Sequence, residues 1–81
     1  MDTIFELWDE EEAHLLNTYS AMSDALAVVV ATVRECGERA VETWGLFRST
    51  PIGEPTEIVA EGLDLARMAM REQYAKYVVS E

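Results

Sequence analysis

The chain has 81 residues, of which 49% are apolar and 27% are charged, and sixteen acids against six bases give a net charge of −10 at pH 7. This length predicts one small domain, which buries only about 60% of the surface that its unfolded form exposes. The apolar share excludes the disordered class. The acidic excess argues against direct binding to nucleic acid or to an anionic membrane, because phosphates would be repelled.

Cysteine use and the N-terminus indicate a compartment. Cys36 is the only cysteine, so an intrachain disulfide and a Cys-rich zinc site are excluded and a reducing environment is expected. The first twelve residues lack the basic and apolar regions of a secretory signal. The longest apolar stretch, residues 25–33, is about half as long as a bilayer span. We therefore expect a cytoplasmic protein, or one of the host cytoplasm if the source is viral, with no membrane contact.

The N-terminal region has the features of a helix start. Thr3 and Glu6 have the spacing of a capping box, which predicts a helix that begins near Ile4. Six of the first twelve residues are acids, and the positive end of the helix dipole favours acids in the first turns.

Apolar residues then recur three and four positions apart, which is typical of the a and d positions of a heptad repeat. Glu12 takes the one polar a position, where it either specifies register or is a partly exposed carboxylate. After Ala40 the register slips by one residue, and Trp44 and Phe47 continue the stripe. The residues of this heptad seam are Phe5, Trp8, Leu15, Tyr19, Met22, Leu26, Val29, Val33, Cys36 and Ala40.

The segment ALAVVVATV, residues 25–33, has almost no polar face. A helix that is apolar on every side must be covered on every side. A strand is the alternative, because the segment contains four valines and β-branched residues favour strands. We prefer a helix, since the heptad seam continues through the segment without a break.

The remaining elements are a loop and a second helix. Two prolines and a glycine in RSTPIGEPTE predict a loop over residues 48–55. Pro55 suits the first turn of a helix over about 56–79. The first helix would cover about 4–47, or break near Gly37. The sequence therefore predicts an all-α fold for residues 1–81, a helical hairpin of one long and one shorter antiparallel helix.

The two predicted helices differ in length. At 1.5 Å per residue they measure about 66 Å and about 36 Å, so half of the long helix has no partner within the chain. An exposed apolar stripe of that size predicts a dimer or higher oligomer that completes a bundle; a break near Gly37 would instead permit a three-helix monomer. The predicted interface residues are Trp8, Leu15, Tyr19, Met22, Leu26, Val29, Val33, Trp44 and Phe47.

Two features of the sequence suggest metal-binding or nucleophilic chemistry: the pair Glu11 and His14, and the single cysteine. Glu11 and His14 have the Glu-x-x-His spacing and resemble the motif of ferritin-like di-iron bundles. The resemblance implies a di-metal site in which a symmetric dimer brings two such motifs together, with Glu61 and Asp64 as further oxygen donors. The simpler interpretation is that His14 pairs with a neighbouring acid on a solvated surface. We therefore predict no metal and no cofactor. Cys36 is interpreted as a small buried hydrophobic residue.

No catalytic or nucleotide-binding motif is present, so we predict a non-enzymatic protein. Its expected action is self-association and protein–protein contact, as an assembly, adaptor or virion-type component whose first partner is a second copy of itself. One alternative is an acidic inhibitor of the phage DNA-mimic type, whose partner is a basic nucleic-acid-binding surface. A second alternative is the di-metal bundle on Glu11 and His14.

Overall fold

The computed structural model describes residues 3–49 and 57–79, with side chains for 3–49 and 57–73. The chain forms an α+β fold in the order ββαββα. The strands are β1 (Ile4–Asp9), β2 (His14–Tyr19), β3 (Trp44–Ser49) and β4 (Glu57–Glu61), and the helices are α1 (Met22–Cys36) and α2 (Gly62–Val79). A short 3₁₀ helix, Glu38–Val41, connects α1 to β3.

The four strands form one antiparallel sheet in the order β2-β1-β3-β4. The two central strands place Leu7 directly opposite Leu46. Both residues point to the side on which the helices pack, where Leu7 is 1% and Leu46 0% exposed. Register shifts interrupt the outer pairings of β1 with β2 and of β3 with β4.

The core lies between this face of the sheet and the two helices. In each helix the buried residues recur at helical spacing, so one stripe faces the sheet and the other side faces solvent. The buried core residues are Leu7, Ala25, Leu26, Val29, Val30, Val41, Leu46, Leu65, Ala66 and Ala69. Within the described part of the chain, neither α-helix is long and apolar enough to cross a membrane.

The predicted all-α fold is wrong, because residues 4–19 form a β-hairpin instead of a helix start. The heptad seam assigned Phe5 and Trp8 to one stripe, but residues an odd number of positions apart point to opposite faces of a strand. Phe5 packs against the core and Trp8 lies on the other side of β1. The acids 10–12 form the hairpin turn with Ala13, which has a positive φ of 52°.

The helical hairpin and the coiled coil are also wrong. Helix α1 has 15 residues and ends at Cys36, where Gly37 takes a φ of 91°, and Trp44 and Phe47 lie in β3. The long unpaired helix that predicted a bundle completed by oligomerisation is therefore missing from the described residues, and the length argument fails with it.

Two element boundaries also differ from those predicted. The second helix begins at Gly62 instead of near residue 56, because residues 57–61 form β4. In the predicted loop 48–55, residues 48 and 49 belong to β3, and residues 50–55 lie outside the described residues.

The preference for a helix over residues 25–33 is confirmed, because the whole segment lies within α1. The expectation that this helix is covered on every side is wrong. Ala27, Val28 and Ala31 are exposed, because α1 packs on the sheet and on α2 with only one side.

Candidate functional site

The second face of the sheet is covered by neither of the two helices. We call it the open face. Residues that pair directly across antiparallel strands share a face, and the pairings give two rows across the four strands. The open face consists of Thr18, Glu6, Phe47 and Ile58 in one row and Leu15, Trp8, Gly45 and Glu61 in the other.

Large apolar side chains on this face remain in contact with solvent. Ile58 is 56% and Leu15 is 39% exposed, and Trp8 and Phe47 are half-buried. Single exposed apolar residues are common on protein surfaces, whereas several that are contiguous on one face indicate a contact surface. The grouping of these residues on one face therefore indicates a contact surface, which no single exposed residue would.

A hollow of about 470 Å³ lies in the open face. Apolar residues from β1, the hairpin turn, β3 and β4 line it, and one acid from β1 and one from the turn complete its wall. The lining residues are Glu6, Trp8, Glu10, Ala13, Phe47 and Ile58.

Gly45 provides the room for two of these side chains. A Cβ atom at this position would lie 2.8 Å from Cδ of Glu10 and 3.0 Å from Cε1 of Phe47. The first distance is shorter than real Cβ contacts, and the second is tighter than most of them. Any larger residue would therefore displace the Glu10 carboxyl group and press on the Phe47 ring. The glycine lets the carboxyl group and the ring extend over the backbone of β3, and Gly45 is itself buried beneath them.

Glu10 reaches Glu61 across this glycine. The Glu10 backbone N–H donates to the carbonyl of Thr43 at 2.7 Å, which fixes the end of β1 against β3. A hydrogen bond between the two side chains, with partial burial and the negative charge of Glu61, raises the pKa of Glu10 from 4.5 to about 7. Two neighbouring carboxyl groups without a cation between them hold a proton in this way. Glu10 is therefore about half protonated near neutral pH.

Glu6 holds the indole of Trp8 in place. The indole Nε1–H donates to Oε1 of Glu6 at 3.1 Å. The two residues lie two positions apart in β1, so their side chains are on the same face of the sheet. The ion pairs of the described residues join Arg48 to Glu57 and Arg67 to Asp64. No described base therefore forms an ion pair with Glu6, Glu10 or Glu61, and the acids of the open face are not neutralised by the described part of the chain.

The structure divides the predicted interface residues into three groups. Trp8, Leu15 and Phe47 lie on the open face. Leu26 and Val29 are 4% and 0% exposed, so the core of the same chain already covers them. The remaining residues, half-buried against that core, are Tyr19, Met22, Val33 and Trp44.

The residues that the sequence suggested as metal ligands do not lie on a common helix. Glu11 lies in the hairpin turn and His14 begins β2, so the helical spacing that motivated the di-metal bundle does not exist. Glu61 ends β4 and Asp64 lies in the first turn of α2. Among the residues that the structure describes, no three His, Cys, Asp or Glu side chains come close enough together to hold a metal ion.

Two further interpretations depended on the long helix. Glu12 is exposed in the hairpin turn, so it does not occupy a heptad position. Cys36 is exposed at the end of α1 instead of buried in an interface, because the helix ends there.

Sequence reasoning missed Glu10, Gly45, Ile58 and Glu61 as members of one surface. One available signal was WGLF, residues 44–47, in which a glycine lies among large apolar residues that are typical of a strand. A glycine inside a strand pattern often marks a place where another group approaches the backbone closely. Glu10 and Glu61 are 51 residues apart in sequence. Only the pairing of the strands brings them together, so no local sequence pattern indicated their contact.

In comparisons with family models, with curated proteins and with solved structures, nothing matches this chain significantly.

Proposed function

We propose that this is a non-enzymatic protein that acts through protein–protein contacts made by the open face of its sheet. The observation that carries the proposal is the contiguous group of Trp8, Phe47 and Ile58 on a face that neither helix covers. Buried aromatic residues near the centre of an interface contribute most of its binding energy.

The composition of the open face supports the proposal. Protein interfaces combine an apolar, aromatic-rich centre with a polar rim. Here the apolar centre is bordered by Glu6, Glu10 and Glu61, and the indole of Trp8 is already held by a hydrogen bond to Glu6. A side chain that is fixed before binding loses less conformational entropy when a partner docks.

A photo-crosslinking amino acid at Ile58 tests the proposal in cells that express the full chain. Ile58 is 56% exposed on the open face, and the matched control is Val28, which is 37% exposed on the outer side of α1. We expect a discrete cross-linked protein from position 58, identified by mass spectrometry, and none from position 28. Equal labelling at both positions, or no discrete product from position 58, would contradict the proposed role of the open face.

Self-association is a second proposal, and a different surface supports it. Strand β2 is an edge of the sheet, and its sequence HLLNTY contains no acid, although the chain has sixteen. Edge strands are normally protected by charges or proline. Leu15 and Leu16 are both exposed there. We propose that β2 pairs with β2 of a second copy in an antiparallel arrangement.

Light scattering coupled to size exclusion measures this association directly. We expect a mass of twice 9.1 kDa for the natural chain and the monomer mass for Leu16→Lys, because a lysine on each edge places like charges opposite each other. Ala31→Lys on the outer side of α1 adds the same charge away from the edge and should remain a dimer. A natural chain that stays monomeric up to high protein concentration rules out this pairing.

A further inference from the structure

The hollow of the open face combines aromatic and acidic groups around one glycine. The Phe47 ring and the Glu10 carboxyl group extend over Gly45, and Trp8 and Glu6 form the adjoining wall. Glu61 pairs with Gly45 across β3 and β4 and reaches the Glu10 side chain. The floor is thus backbone, and two rings provide flat apolar surface. The carboxyl groups of Glu6 and Glu10 line the hollow, and Glu61 lies beside it against Glu10.

We propose that this hollow binds an arginine side chain from a basic segment of a partner protein, with the guanidinium group against the Trp8 and Phe47 rings and between the surrounding carboxylates. This inference rests on the proposed contact function of the open face and specifies the chemistry of the partner.

Charge complementarity favours a cationic occupant. The chain carries a net charge of −10, and none of the described bases pairs with the three acids of the face. The raised pKa of Glu10 has the same origin, because its carboxyl group faces Glu61 without a cation between them. A bound guanidinium would supply that charge, and the shared proton would be released to solvent.

The aromatic groups favour arginine over lysine. A guanidinium is planar, stacks on aromatic rings and donates hydrogen bonds to carboxylates through a fixed fork, whereas a lysine ammonium is a strongly hydrated point charge. Cations also bind over the faces of tryptophan and phenylalanine rings. The indole of Trp8, held by its bond to Glu6, provides such a ring in a fixed orientation.

A second copy of the chain fits this hollow poorly. Face-to-face association of two copies would bring Glu6, Glu10 and Glu61 of each against the same acids of the other. Like charges placed together in an interface are unfavourable. A basic protein segment, such as the arginine-rich surface of a nucleic-acid-binding protein, meets no such repulsion, which links the hollow to the acidic-inhibitor alternative.

The test uses the full chain labelled with ¹⁵N and two short peptides of equal charge, acetyl-Gly-Arg-Gly-Arg-Gly-amide and its lysine counterpart. Titration is followed by NMR at the Trp8 indole N–H and the Gly45 amide. We expect both signals to shift with the arginine peptide and a dissociation constant about 3-fold to 10-fold weaker for the lysine peptide. Shifts spread evenly over the surface, or equal affinity for both peptides, would refute a built guanidinium site.

Two variants separate the contributions of charge and ring. Glu6→Gln keeps the shape and an oxygen that accepts from the Trp8 indole, but it removes one charge of the hollow. We expect about 3-fold to 10-fold weaker binding of the arginine peptide. Glu35→Gln removes one charge from the exposed side of α1 and should change affinity by less than about 2-fold. Trp8→Leu should abolish the preference for arginine over lysine. Similar weakening by Glu6→Gln and Glu35→Gln would mean that only overall charge attracts the peptide.

The outcomes also separate this inference from the proposed function. Cross-linking at position 58 together with no arginine preference would leave the open face as a contact surface and overturn the guanidinium site. Absence of both cross-linking and peptide binding would overturn both. Circular dichroism of each variant confirms that an altered affinity does not reflect unfolding.

Discussion

The two faces of the sheet are built from the same strands but differ in burial and in charge. On the covered face Leu7 and Leu46 pair directly and are at most 1% exposed, whereas one residue further along each strand Trp8 and Phe47 are half-buried on the open face. Among the residues whose side chains the structure describes, none of those buried against the covered face is ionisable. The open face combines aromatic rings with carboxyl groups that form no ion pair with the described bases. Burial makes the first face a source of stability, and exposure leaves the second available for contact.

The largest contrast is expected between Leu46→Ala and Phe47→Ala. Leu46 is fully buried, so its truncation leaves a cavity and should lower the free energy of unfolding by about 2 to 5 kcal/mol. Phe47 is half-buried on the open face, and its truncation should cost less than about 1.5 kcal/mol. Urea denaturation monitored by circular dichroism measures both values. Equal losses would mean that the open face is packed as tightly as the core.

Gly45→Ala tests how the open face is assembled. The added methyl group would collide with the Glu10 and Phe47 side chains, but Glu10 is flexible and alanine suits a strand better than glycine does. We expect a change in the free energy of unfolding of less than about 1 kcal/mol. We also expect the pKa of Glu10 to fall toward 4.5, because the bond to Glu61 is broken; NMR titration of the Glu10 carboxyl measures it. An unchanged pKa would show that Glu10 reaches Glu61 by another path.

The sequence predicted parts of this structure for identifiable reasons. Residues 25–33 form a helix as expected, because the helical pattern there is long and uninterrupted. The hairpin of residues 4–19 was missed because apolar residues three and four apart include odd and even positions. Such spacing matches a helix face, yet in a strand it divides between two faces. The glutamates of the turn were mistaken for a helix start because the positive end of a helix dipole favours acids.

The open face was predictable only in part. Trp8, Leu15 and Phe47 were predicted as contact residues from a helix that does not form, and they lie together on the open face. Their grouping with Ile58, and the meeting of Glu10 with Glu61, depend on the strand order β2-β1-β3-β4. That order follows from packing of the whole chain, and tertiary packing overrides local pattern in short strands.

The smallest expected effect concerns pH and the carboxyl pair of the open face. The pKa of Glu10 is raised from 4.5 to about 7 by its hydrogen bond to Glu61, so the folded protein binds more protons than the unfolded chain between these values. The contribution of Glu10 to stability is therefore complete below pH 4.5 and is lost as the pH rises through 7.

Glu10→Gln replaces the protonated carboxyl with a neutral amide that still donates a hydrogen bond to Glu61. We expect the variant to match the natural chain near pH 5 and to be slightly more stable at pH 8, in thermal unfolding followed across this range. Glu11→Gln removes a charge from the same turn without altering the hollow and should show a smaller difference between the two pH values. If both variants responded alike, the pH dependence would reflect net charge instead of the Glu10–Glu61 pair, and the open face would contain no specifically coupled carboxyl groups.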